Sequence, residues 1–298
     1  MANLEYLNKL KQGATNWLNW LNHHNQFNID LINADLRGVD LTEVYLVKAD
    51  LTGANLTNAN IRGANLTGAN LQFAQLSDVC LHQANLTGVN LQSACLTEAD
   101  LTGANLIGSD LRVVKAQYAN FTQANLIGTS LRQAQLPQAN FIQAKLNRAN
   151  FSETNLAKAI FNQADLSGAN FFEAEAQSAS FYQANLYRVN AVSTHLSHGY
   201  FLASNLLEAK LVNCDLRWAN LSYTDMTQAN LEGAKLRGAN LRGANLTGAN
   251  LRGANLRGAN LKGTNLSGAN LQGVDIEETD LNKAILTGAI MPDENLHF

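Results

Sequence analysis

Between residues 31 and 291 a large apolar residue returns at every fifth position without a slip. Of 53 such centres, 50 carry Leu, Ile, Phe or Met; Ala116, Ala176 and Ala191 are the exceptions. Two residues before each centre, from Ala34 to Ala289, stand only Ala, Val, Ser, Thr, Cys or Gly. Asn or Asp usually fills the position between. A period of five is neither the 3.6 of an amphipathic helix nor the 2.0 of a plain strand. One large and one small inward position in every five residues require a backbone that turns a corner in each repeat. Four corners close a square coil of twenty residues, and the array from 31 to 291 predicts about thirteen of them.

The special residues fit the corners. Of 21 glycines, 19 lie two residues after a centre, the third position of a four-residue turn, where a type II turn requires positive φ. Pro137 falls at the second turn position, where φ near −65° is wanted. Coils stacked at roughly 4.8 Å would make a rod about 60 Å long. One coil cannot stand alone: four large centres bring about 2 kcal/mol each, whereas ordering twenty residues costs roughly 20–40 kcal/mol. Stability is then a nearest-neighbour sum along the stack, and the ends need caps.

Residues 1–28 lie outside the period. Leu4, Leu7 and Leu10 recur at helical spacing and Gly13 suits a helix stop. Thr15 suits the N-cap of a second short helix carrying Trp17, Trp20 and Leu21. The expectation is a helical cap (1–28, with Leu10, Trp17, Trp20 and Leu21 facing the first coil) and a polar connection holding His23 and His24. The solenoid runs over 29–292, where Met291-Pro292 stops the ladder. The tail 293–298 is expected to fold back through Leu296 and Phe298 as a plug or to pack on a second copy, giving a monomer or an end-to-end homodimer.

Residues twenty apart should stack in columns. Phe121, Phe141, Phe161, Phe181 and Phe201 then form a core column, Phe151 and Phe171 another, with the small centres Ala116, Ala176 and Ala191 compensating for volume. Gln123, Gln143, Gln163 and Gln183 form a ladder beside the first column. Between 113 and 228 only Gly128 and Gly168 occupy turn sites, which predicts a change of turn type or a widened coil there.

Composition now adds a little. The net charge of −3 supplies no strong field toward nucleic acid or an anionic membrane. Cys80, Cys95 and Cys214 are odd in number and unpaired in spacing, which fits a reducing compartment. No apolar leader or span is legible, so the expectation is a cytoplasmic protein. No phosphate loop, GxSxG, HExxH or CxxC pair appears, and uninterrupted coils leave no long loops to build a pocket. The reading is therefore no enzyme, no cofactor and no metal.

Three surface features are candidates. Phe172, Tyr182, Tyr187, Val192, Leu202, Leu207, Val212, Trp218 and Tyr223 are outward turn residues that span more than one face and form a candidate protein interface. Arg217, Arg237 and Arg257 on one side, with Arg242 and Lys262 on the next, form a candidate basic stripe, which could track phosphates or, as the plainer alternative, keep a repetitive rod soluble and discourage lateral pairing. Glu175, His195, Asp215 and Lys235 make a column in which His195 could bind a metal or act as a base, with the solvated charge ladder as the plainer alternative.

The repeat Ala-(Asn/Asp)-Leu-X-X, as in Ala64-Asn65-Leu66-Thr67-Gly68 and Ala239-Asn240-Leu241-Arg242-Gly243, resembles the pentapeptide-repeat family. The resemblance implies an all-β fold, a right-handed quadrilateral parallel β-helix. Leu10-Lys11-Gln12-Gly13 with Trp17 and Trp20 is similar to the N-terminal cap of many cyanobacterial members. The expected function is a non-catalytic interaction or scaffolding rod for another protein, rather than for a membrane or nucleic acid. The alternatives are a topoisomerase-binding DNA mimic, known for the quinolone-resistance subgroup, and a metal or enzymatic site near His195.

Overall fold

The computed structural model describes residues 4–24, 29–292 and 296–297. The chain forms two compact units, Met1–Asn150 and Phe151–Phe298. Within each, residue i pairs with i+20 in parallel bridges, for example Asn65 with Asn85 and Asn220 with Asn240. Each unit is thus a stack of four-sided coils of twenty residues. The sides recur with the same period: side 1 holds residues 33–37, side 2 holds 38–42, side 3 holds 43–47 and side 4 holds 48–52, each repeating every twenty residues.

One repeat explains why the consensus works. Every backbone N–H of 65–69 finds an acceptor, as burial demands. Asn65 N–H donates to Val44 O at 2.8 Å in the coil before, and Leu66 and Gly68 donate to Asn85 O and Thr87 O in the coil after, at 2.8 and 2.9 Å. Ala69 N–H closes the turn on Leu66 O at 2.9 Å. That leaves Thr67 N–H, which the ladder cannot reach. The Asn65 side chain accepts it at 3.1 Å. Asn or Asp precedes the centre because only a short side chain with an acceptor oxygen can do this. The amide also links coils, as Asn250 Nδ2 to Asn230 Oδ1 at 3.1 Å shows.

The predicted change of turn type in the middle does not occur. From Asn33 to Glu278, and again at Gly288, every third turn residue has positive φ whether or not it is glycine: Gln163 stands at 59° and Gly168 at 66°. Each turn keeps its i to i+3 bond, as in Ala164 N–H to Phe161 O at 3.1 Å. The ladders on both sides hold these residues in the left-handed region, at a cost of about 1–2 kcal/mol each for a side chain there. The real departure is at the C-terminal end. Lys283 is missing from the positive-φ set, Gly263 N–H reaches Lys283 O instead of the carbonyl one residue earlier, and no bridge joins Asn260 to Asp280. Half-buried Ile276, Leu281, Leu286 and Met291 replace the fully buried centres of earlier coils.

Unit 1 begins with α1 (Leu4–Leu10) and α2 (Ala14–His24). Gly13, at φ 95°, ends the first helix, and its carbonyl accepts Trp17 N–H at 3.0 Å. Gly13 therefore occupies the cap position expected of Thr15, which lies inside the helix. Likewise His23 belongs to α2 and not to a connection; its Nδ1 sits 2.6 Å from Asn19 O. Leu10, Trp17, Trp20 and Leu21 are buried, and Tyr6 packs edge-on against both indoles. In later coils the carbonyl before a centre accepts an N–H from the coil before, as Asn65 O does from Leu46. Tyr45 lies in the first coil, and its carbonyl takes the Trp17 indole N–H at 2.8 Å. The helical cap thus supplies a donor at the ladder's open edge.

Stacked rings fill the cores. Phe121 and Phe141 stack at 4.8 Å in unit 1; Phe161, Phe181 and Phe201 stack at 5.0 and 4.7 Å in unit 2, beside Phe151 and Phe171 at 4.9 Å. Gln123 donates to Gln143 at 3.0 Å and Gln163 to Gln183 at 3.2 Å. At the C-terminus β1 (Ala289–Ile290) pairs antiparallel with β2 (Leu296–His297), so the chain does fold back. Phe298 and residues 1–3, 25–28 and 293–295 lie outside the described set.

Candidate functional site

The nine outward apolar residues do not make one surface. The twenty-residue register puts Tyr182, Leu202 and Trp218 on side 2, Tyr187, Leu207 and Tyr223 on side 3, and Phe172, Val192 and Val212 on side 4. Sequence spacing identified the turn residues but not the outward position before each centre. On side 2 that position adds Ile160 and Tyr200 to the patch. Tyr200 is exposed and packs on Tyr182 at 6.3 Å with the rings tilted by 34°. Ile160 and Tyr200 each precede a centre, where Asn or Asp is the rule. That break in the consensus was the available signal.

Trp218 is the most exposed member at 56%. Its indole lies over the backbone of Gly238 in the next coil, where an added Cβ would come within 2.2 Å of the ring. Tyr223 lies over Gly243, Asn213 over Gly233 and Gln228 over Gly248 in the same way. The stretch poor in glycine and the glycine-rich stretch therefore meet at a seam, where four side chains cover four bare turns. Glycine is needed at 238 for this close approach as well as for its φ of 67°.

The basic stripe is partly neutralised. Arg217 donates Nε and Nη2 to both oxygens of Asp215 at 2.8 and 2.6 Å, and Arg257 pairs with Glu277 and Glu278 at 3.0 and 2.9 Å. Among the described residues Arg237, Arg242 and Lys262 are exposed and form no ion pair. Arg242 and Lys262 continue the column of Tyr182, Leu202 and Ser222 on side 2, and Arg237 stands at its edge beside Gly238. Side 2 of unit 2 thus runs from an apolar patch to a cationic one.

The His195 column stacks as expected but does not converge. His195 Nδ1 lies 2.7 Å from Glu175 Oε1, while the buried Asp215 turns to Arg217. The Arg217 hydrogen bonds hold the Asp215 carboxyl below the usual carboxylate range. Among the described residues no three His, Cys, Asp or Glu side chains gather to hold a metal. Strand spacing spreads the donors along a line. No described helix is long and apolar enough to cross a membrane.

A family model described as pentapeptide repeats matches overlapping segments from residue 28 to residue 288. Among solved structures the chain is similar to HetL, a pentapeptide repeat protein involved in heterocyst differentiation regulation in the cyanobacterium Nostoc sp. strain PCC 7120. The identity is 28%, over 96% of this chain and 99% of that one, at a TM-score of 0.24. Rfr23, a pentapeptide repeat protein from the cyanobacterium Cyanothece 51142, is 44% identical over 32% of this chain and 63% of its own length, at 0.29. QnrB1, a plasmid-mediated fluoroquinolone resistance protein, is 20% identical over 68% of this chain and 91% of its own, at 0.43. No curated protein matches.

Proposed function

The chain belongs to the pentapeptide-repeat family, whose members fold as right-handed quadrilateral β-helices, and from that premise we propose that it is a non-catalytic scaffold that holds another protein on side 2 of its second unit. The supporting observation is the apolar patch of Ile160, Tyr182, Tyr200, Leu202 and Trp218 on one flat side. Exposed aromatic side chains on a rigid ladder are costly to solvate and lose little entropy when covered, which is the economy of a binding hot spot. Free Cys80, Cys95 and Cys214 fit a cytoplasmic setting.

Co-purification from cells expressing the tagged chain tests this. Tyr200→Ala/Trp218→Ala should lose its partner while keeping its thermal transition, and Tyr187→Ala/Val192→Ala, on sides 3 and 4, should keep it. Equal loss in both variants, or in neither, refutes the assignment.

Self-association through the last coil is a second reading, supported by its half-exposed centres Leu281, Leu286 and Met291. Light scattering reads it directly. A dimer that Leu281→Glu/Leu286→Glu converts to a monomer supports it, and a monomeric parent protein removes it.

A further inference from the structure

We infer that the occupant of side 2 is an acidic polypeptide segment with an apolar anchor, lying along the stack from the aromatic patch toward Arg242 and Lys262. The inference rests on the docking reading above and adds the partner's chemistry. Tyr182, Leu202, Ser222, Arg242 and Lys262 are successive members of one column. At the ladder spacing of about 4.8 Å, Leu202 and Arg242 stand roughly 10 Å apart, the reach of about three extended residues.

The floor between the column and the opposite edge is low. It is made of Asn240, Gly258 and Asn260, beyond the Trp218 indole that covers Gly238, with Asn260 Nδ2 donating to Asn240 Oδ1 at 3.1 Å. Arg237 lines the opposite edge. Glu278 and Asp280 line a cavity with Lys262 at the far end of the column, and Glu278 is already held by Arg257. Arg237, Arg242 and Lys262 form no ion pair with a described side chain, on a chain whose net charge is −3, and only Arg237 stands close enough to Glu278 to help hold that carboxyl down. A segment that seats an apolar residue over Trp218 and Tyr200 and carries acids three to five residues further on matches both ends.

The rings favour a peptide over a nucleic acid. Tyr182 and Tyr200 pack against each other at a tilt, so they do not present parallel faces to successive bases.

The test is selection of twelve-residue phage-displayed random peptides on the immobilised full-length chain, with Arg242→Glu/Lys262→Glu as the counter-target. Both replaced residues are exposed, and Arg242→Gln/Lys262→Gln serves if the charge reversal fails to fold. Enriched sequences should carry an apolar residue followed within three to five positions by two or more Asp or Glu. As synthetic peptides they should bind the parent at least about tenfold tighter than the charge variant. Enrichment without acids, equal binding to both proteins, or tighter binding of a twelve-nucleotide single strand overturns the inference. If Tyr200→Ala/Trp218→Ala loses its partner but Arg242→Glu/Lys262→Glu keeps it, the scaffold reading stands and only the acidic partner is wrong.

Discussion

Gly199 stands where most other coils have Ala, so the consensus replacement Gly199→Ala looks stabilising. It also looks safe, because Gly199 is not in the positive-φ set. A chain-entropy argument would put the gain at about 0.4–1 kcal/mol. The packing says otherwise. A Cβ at 199 would stand 2.7 Å from Cε2 of Phe201 and 2.9 Å from Leu196 O. Neither neighbour can give way cheaply. Phe201 is buried and stacked on Phe181 at 4.7 Å, and Leu196 O already accepts the N–H of residue 199. Overpacking of this kind costs about 1–3 kcal/mol, so the net expectation is a loss of roughly 1–2 kcal/mol. Urea unfolding followed by circular dichroism measures it. The cause is isolated by Phe201→Leu, which alone forfeits the ring stack, about 0.5–1.5 kcal/mol. The double variant restores the Ala-X-Leu spacing of ordinary coils and should be no less stable than Phe201→Leu alone. A Gly199→Ala protein at or above the parent's stability, or strict additivity in the double variant, refutes the reasoning.

Trp17→Ala should cost about 3–5 kcal/mol, and Trp17→Phe about 1–3 kcal/mol by stranding the Tyr45 carbonyl; hydrogen exchange should then quicken first in residues 30–50. Asp215 has its carboxyl pKa lowered by Arg217. Its contribution is therefore fully present above the ordinary carboxylate pKa of about 4 and is lost as pH falls below it. The stability gap between the parent and Asp215→Asn, from urea midpoints, should be largest near neutrality and shrink on acidification. Burial pushes the Cys214 thiol far up, whereas at Cys95 partial burial is outweighed by hydrogen bonds from Ser77 and Thr97 that hold the thiol below its ordinary value. Thiol labelling of the native protein should modify Cys95 and spare Cys214, which should react only after unfolding.

The sequence by itself determined the coil period and the place of each turn. A strict five-residue period with one large and one small inward position made coil length, turn position and the Phe stacks legible in the sequence, while the right-handed coiling was implied by the family resemblance. It also marked the residues of the cap. What it could not reach depends on neighbours twenty residues away. Loss of glycine at turns such as Gln163 and Tyr223 suggested a new turn type, yet positive φ persists because the ladders on either side impose it. Thr15 looked like a cap, but the cap is Gly13, two residues sooner, and the helix starts at Ala14. The apolar turn residues were legible as spanning more than one face, and the square cross-section divides them among three sides while adding Tyr200 to one of them. The five basic residues looked alike, and only placement opposite Asp215, Glu277 and Glu278 separates neutralised from available charge. Local rules fix a repeat because its hydrogen bonds are closed by adjacent coils of the same pattern. Surface chemistry is set by which side chains share a side and what lies opposite them, and that is decided only once the coils are stacked.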